Sequence, residues 1–72
     1  MDDVLDSTPE ITIDYIESYA VGIRYPVTKE DIIHFAMMNK AENQVLAILQ
    51  NLEPGVYNDF NEFDFYLRRI HY

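Results

Sequence analysis

The stretch YPVTKEDIIHFAMMN, residues 25–39, reads as one complete helical unit with its own start and stop. Pro26 stiffens the approach, and its ring pushes the preceding Tyr25 away from helical backbone. Thr28 can accept from the first free N–H groups of a helix, which makes it the N-cap. Glu30 and Asp31 follow in the first turn, where the helix dipole favours negative charge. Ile32, Ile33, Phe35 and Ala36 form the inner stripe, and Asn39, tolerant of left-handed backbone, closes the unit. The spacing predicts a helix over residues 29–38.

Toward the C-terminus, NKAE (39–42) is a tight link into a helix over about residues 42–52. There Val45, Ile48, Leu49 and Leu52 recur at helical spacing, with Asn43, Gln44, Gln50 and Asn51 facing out. EPG (53–55) is a turn. Asp59 then caps a last helix near 59–70, with Glu62 at the capping-box position and Phe60, Phe63, Leu67 and Ile70 as its stripe. Arg68 and Arg69 suit its C-terminal end.

Toward the N-terminus, GIRYP (22–26) is an extended connector, and Gly22 supplies a helix stop. In ITIDYIESYA (11–20), Ile11, Ile13 and Tyr15 alternate as in a strand, but the alternation breaks at Ile16. A helical wheel gathers Glu10, Asp14, Glu17 and Ser18 on one arc and leaves the rest to Ile11, Tyr15, Ile16, Tyr19 and Ala20. With Ser7 as N-cap, Pro9 in the first turn and Glu10 at the capping-box spacing, a helix over about 9–20 is predicted. Residues 1–7 are an acidic lead-in, and residues 8–72 a single helical domain. The expected fold is all-α: a compact four-helix small domain with helices near 9–20, 29–38, 42–52 and 59–70.

A chain of 72 residues is near the lower limit for folding on its own core. It has no cysteine, so neither disulfides nor a Cys-based zinc site can help. Six tyrosines and four phenylalanines are the remaining means of burying area, together with oligomerisation. The net charge of −8 repels phosphate backbones and anionic lipid, and so argues against direct nucleic-acid or membrane binding. MDDVLDSTPE has neither the basic region nor the apolar run of a secretory signal, and no segment has the length of a membrane span. A cytoplasmic protein is expected.

The order Tyr25, Pro26, Thr28, Lys29, then Asn39, Ala41, Val45, Leu46, Leu52, Gly55 and Tyr57 resembles a small bacterial and archaeal all-helical domain of unknown function. Its members read Tyr-Pro-Ala-Thr-Lys, a helix ending Asn-Gly-Ala, a Val-Leu helix, a Leu-Pro turn and a Tyr before the last helix. The likeness covers roughly residues 15–70. Lys40 stands where that pattern has glycine, and Glu53-Pro54 replaces Pro-Asp; both departures fall in turns. The resemblance implies a compact helical domain and no assigned activity.

Residues able to carry chemistry are few. Glu30 and His34, four apart, could share a helix face as metal ligands, but a solvated face with a weak contact is the simpler reading. NDFNEFD (58–64) has acids and amides but lacks the glycine and ligand ladder of a calcium loop. The second and third helices have a helix-turn-helix outline, yet the third offers Glu42, Asn43, Gln44 and Gln50 with no Lys or Arg to hold phosphates. No catalytic residue, metal site or cofactor is expected, and no enzymatic activity.

What stands out is aromatic and sulfur-bearing surface. Phe65 and Tyr72 fall opposite the stripe of the last helix, Arg68 and Arg69 are the only basic pair in an acidic chain, and Met38 and His34 lie off the stripe of the second. Those six are the candidate partner-binding residues, since aromatics and Met are enriched at interfaces. The expected function is a small acidic protein–protein interaction module, an adaptor or regulatory subunit, whose partner is another protein or a second copy. The arginines would then face acids on the first helix of that copy. The alternative is an acidic mimic that inhibits a nucleic-acid-binding protein, with Asp2, Asp3, Asp6, Glu10, Asp14 and Glu17 standing in for phosphates.

Overall fold

The computed structural model describes residues 11–70. In chain order they form α1 (Ile13–Ser18), β1 (Val27–Thr28), α2 (Lys29–Met38), α3 (Asn43–Leu49), β2 (Val56–Tyr57) and α4 (Phe60–Arg68). The lead-in 1–7, with Ser7, Pro9, Glu10, His71 and Tyr72, lies outside the described residues.

Local hydrogen bonds set most helix starts. Thr28 Oγ1 accepts the Asp31 N–H at 3.1 Å, and the Asp31 carboxylate accepts the Thr28 N–H at 3.4 Å, so α2 begins with a reciprocal cap. Asp59 Oδ1 accepts the Glu62 N–H at 2.9 Å. Glu62 returns its bond to the N–H of Asn58, one residue before the cap, at 2.8 Å. α1 is shorter than the expected 9–20. Thr12 is extended, with φ −103° and ψ 165°, and its side chain caps the helix by accepting the Tyr15 N–H. Ser, Thr and Asp side chains all compete for such positions, and Thr12 is the one nearest the first buried turn.

The end of α2 is closed by left-handed backbone at Lys40, φ 64°. The Lys40 N–H donates to Met37 O at 2.9 Å and the Ala41 N–H to Ala36 O at 3.0 Å, the two bonds of a Schellman motif. α1 runs out into a turn that reaches Gly22, where φ is 95° and a Cβ would stand 3.9 Å from the Phe35 ring.

The all-α expectation is corrected by a two-stranded antiparallel sheet, in which Val27 pairs with Tyr57 and Thr28 with Val56. The fold is therefore mixed: four short helices and one small ribbon. β1 ends on Thr28, the extended cap of α2, and β2 ends two residues before Asp59, the extended cap of α4. Folding lays the two approaches side by side. Val27 and Tyr57 are buried there, and buried backbone groups must find partners. Two-residue strands carry no alternation, so periodicity could not reveal them. The Tyr25–Pro26 bond leading into β1 is cis.

The core collects Ile16 and Ala20, Ile32 and Ala36, Val45, Ile48 and Leu49, Leu52, and Phe63 and Leu67, closed by Val27 and Tyr57. α2 packs on α3, and α4 on α1 and β2. Phe60 departs from its expected place in the α4 stripe. As the first residue of the helix it lies at the margin, 46% exposed, with its ring set against Phe63 at 6.1 Å between centroids.

Candidate interaction surface

The outer side of α4 carries a connected set of rings. Phe65 is 53% exposed, and the Arg69 guanidinium lies 5.3 Å from its ring centroid. Tyr66 meets Phe65 edge-to-face at 5.1 Å and meets the buried Tyr57 in the same manner at 5.7 Å. Such pairs contribute about 0.5–1.5 kcal/mol beyond their area, so Phe65 is tied through Tyr66 to the core. Beside them runs a groove of about 270 Å³ lined by Asn51, Glu53, Tyr66, Arg69 and Ile70.

Arg68 and Arg69, adjacent in sequence, do different things. Arg68 Nε donates to both Asp64 oxygens, at 3.0 and 2.9 Å, one turn back along the helix. Arg69 is the cation held over the exposed aromatic. Tyr72 lies outside the described residues, so its place beside Phe65 is not assigned.

The other two candidates belong to a different surface. His34 lines a groove of about 310 Å³ with Lys29, Glu30, Ile33, Met37 and Gln50, between α2 and the end of α3. Met38, the last residue of α2, is 71% exposed, and Val21 in the turn after α1 is 76% exposed. The bond from Asn39 Nδ2 to Tyr19 O, 3.0 Å, ties these two helix ends together. The sequence-based set thus divides into Phe65 with Arg69 on α4, and His34 and Met38 on α2. Met37, which shares the second groove, and Tyr66, which backs Phe65, were not singled out. Tyr66 could have been found from its position one residue after Phe65 and three after Phe63.

Two tyrosines named by the resemblance are structural in different ways. Tyr57 is 2% exposed and its hydroxyl donates to the Glu53 carbonyl at 2.5 Å; burial pushes its pKa up. The Tyr25 hydroxyl is buried with no partner among the described residues, and burial, then the negative charges of Glu17 and Asp59, push its pKa up. Tyr15 donates to Glu42 at 2.5 Å and shares a 3.0 Å bond with the Tyr19 hydroxyl. Those hydrogen bonds, led by the one to Glu42, raise the Tyr15 pKa. Glu42 occupies the N-cap position of α3 without capping it, because its carboxylate is turned to Tyr15. Among the described residues, no group of three or more His, Asp or Glu is placed to hold a metal ion, and no helix is long and apolar enough to cross a membrane.

Fold and surface together define a small, mostly helical domain with a capped central helix, a two-residue ribbon and an exposed aromatic face. The chain belongs to the family described as protein of unknown function (DUF2795), which matches residues 16–62. No curated protein and no solved structure matches it. The family match takes in the ribbon and the start of α4 and stops before Phe65 and Arg69.

Proposed function

We propose that this chain is a small acidic interaction module of the cytoplasm, an adaptor or regulatory subunit without catalysis of its own, and that it binds protein through the outer face of α4. The observation that carries the reading is Phe65: a large exposed ring already ordered by Tyr66 beneath and Arg69 above. Aromatic and Arg side chains that are rigid before binding are the usual anchors of protein interfaces, since little entropy is lost on docking. A second copy is one occupant this face fits, in a two-fold dimer. Arg68 is engaged by Asp64, which leaves Arg69 as the cation offered to an acidic partner surface. The groups whose pKa values are displaced, Glu17, Asp64, Arg68, Tyr15, Tyr25 and Tyr57, line neither groove, which favours binding over acid–base chemistry.

The test pairs light scattering with affinity capture, using wild type and Phe65→Asp at equal folded fraction. Loss of the dimer or of a captured partner in the variant supports the reading. Retention of both in the variant refutes it. The mimic reading rests on the net charge of −8 and requires binding that weakens steeply with salt. It is weaker, because Glu17, one of its proposed phosphate stand-ins, is drawn into the seam between α1 and α4.

A further inference from the structure

Two of the chain's three methionines and one of its two histidines fall together in the sequence, as His34, Met37 and Met38. All three belong to α2, and all three are exposed. Helix positions three and four apart are neighbours, with Cβ atoms about 5–6 Å from one another. At about 100° per residue, Met37 and Met38 stand one turn beyond His34 and to either side of it. Helical side chains lean toward the N-terminus, so both thioethers lean back over the turn that carries the imidazole.

The fold already brings two of the three to one place. His34 and Met37 line the same groove of about 310 Å³, against Ile33 and Gln50. Met38 is not part of that lining, but its unbranched side chain has three rotatable bonds and is free in solvent to swing toward it. Lys29 and Glu30 also line the groove, and their opposite charges offset one another. The backbone beneath the sulfurs is held. The Met37 carbonyl accepts the Lys40 N–H at 2.9 Å, and the Asn39 side chain is tied to the Tyr19 carbonyl at 3.0 Å.

We propose that His34, Met37 and Met38 form a site for Cu(I), with one imidazole nitrogen and two thioether sulfurs around a single ion. Ligand chemistry selects the metal. Thioether sulfur is soft and suits Cu(I), imidazole suits zinc, copper, iron and nickel, and copper is the metal that accepts both. Zinc takes thiolate, imidazole and carboxylate, and this chain has no cysteine to supply a thiolate. The same preference pairs His34 with the sulfurs one turn ahead of it rather than with Glu30 one turn behind. A net charge of −8 draws cations to the surface. The site stands on α2 and is independent of what α4 binds.

The test is anaerobic titration of the whole chain with Cu(I), kept reduced by ascorbate and metered by competition with the chelator bicinchoninate. NMR of the methionine methyls and histidine rings reads the ligands. Met37, Met38 and His34 should shift together and saturate at one ion per chain, with Met1 and His71 unmoved. Competition should show the affinity falling by roughly tenfold or more in His34→Ala and in the double variant Met37→Leu with Met38→Leu, since even a supporting residue of a metal site is worth that much. All three side chains are exposed, so these variants should keep the wild-type melt. Zn(II) should leave the methionine methyls where they are. Unchanged affinity in the double variant, ligation by Met1 or His71 in place of these residues, or methionine methyls that move equally with Zn(II) would overturn the Cu(I) site.

Discussion

The Ala41 N–H reaches back to the Ala36 carbonyl at 3.0 Å, and the residue carried over in left-handed backbone to allow this is Lys40, not a glycine. An L-residue there sets its Cβ against the following carbonyl oxygen, at roughly 1–2 kcal/mol. Glycine relieves that contact but loses more backbone freedom on folding. Lys40→Gly should therefore stabilise by about 0.5–1 kcal/mol, and Lys40→Val should destabilise by more than that. Denaturant midpoints at unchanged slope would show it; a destabilised glycine variant would mean that the lysine stem packs to advantage.

Tyr57 and Tyr25 should separate under the same conservative change. Tyr57→Phe strands the Glu53 carbonyl and should cost about 0.5–1.5 kcal/mol, with Tyr57→Ala costing about 3–5. Tyr25→Phe removes a buried hydroxyl that has no partner among the described residues, so it should be neutral or stabilising. Thermal melts of the three variants check this, and a Tyr25→Phe loss equal to that of Tyr57→Phe would show a hidden partner for Tyr25.

Stability should fall as pH rises through the neutral range, and Glu17 should be the reason. Its folded value, about 7, lies above its ordinary 4.5, so between the two the folded state keeps a proton that the unfolded state has released. The contribution is complete below the lower value, declines up to the higher and is flat beyond. Asp64 is shifted downward, so its contribution is lost only on the acid side of its ordinary 3.8. The difference in melting temperature between wild type and Glu17→Gln should open across this window in favour of the variant. A constant difference from pH about 4 to about 8 would exclude the assignment.

Phe63 and Phe65 stand two residues apart on α4 with opposite exposure. Phe63→Ala should cost about 3–5 kcal/mol, because its ring is fully buried. Phe65→Asp, which loses the edge-to-face contact with Tyr66, should cost only about 0.5–1.5 kcal/mol while abolishing association through this face. Equal destabilisation by the two would make Phe65 a packing residue.

Thr28→Ala should cost about 1–2 kcal/mol, since it removes one half of a reciprocal cap and leaves Asp31 without its return geometry. Asp31→Ala should cost less, because its 3.4 Å bond is the longer of the two. Chemical denaturation of both variants checks the order.

What the sequence determined by itself is whatever is decided within a few residues. Thr28 and Asp59 cap because a short oxygen-bearing side chain reaches N–H groups three residues ahead. The inner positions of α2 and α3 were legible because burial on one helix face repeats every three to four residues. The exposed Phe65 could be read off the same wheel. Tertiary structure decided the rest. Val27 joins Tyr57 because the packing of α2 on α3 returns the chain to its own earlier stretch, and two residues hold no periodic signal of that. Thr12 rather than a residue nearer 9 starts α1, and Phe60 turns to solvent, because a helix end is placed by where the core stops. Glu17 looked like one more residue on a polar arc. Asp64, one of the charges that raises its pKa, is far along the chain, and only the packing of α1 on α4 brings that influence to it.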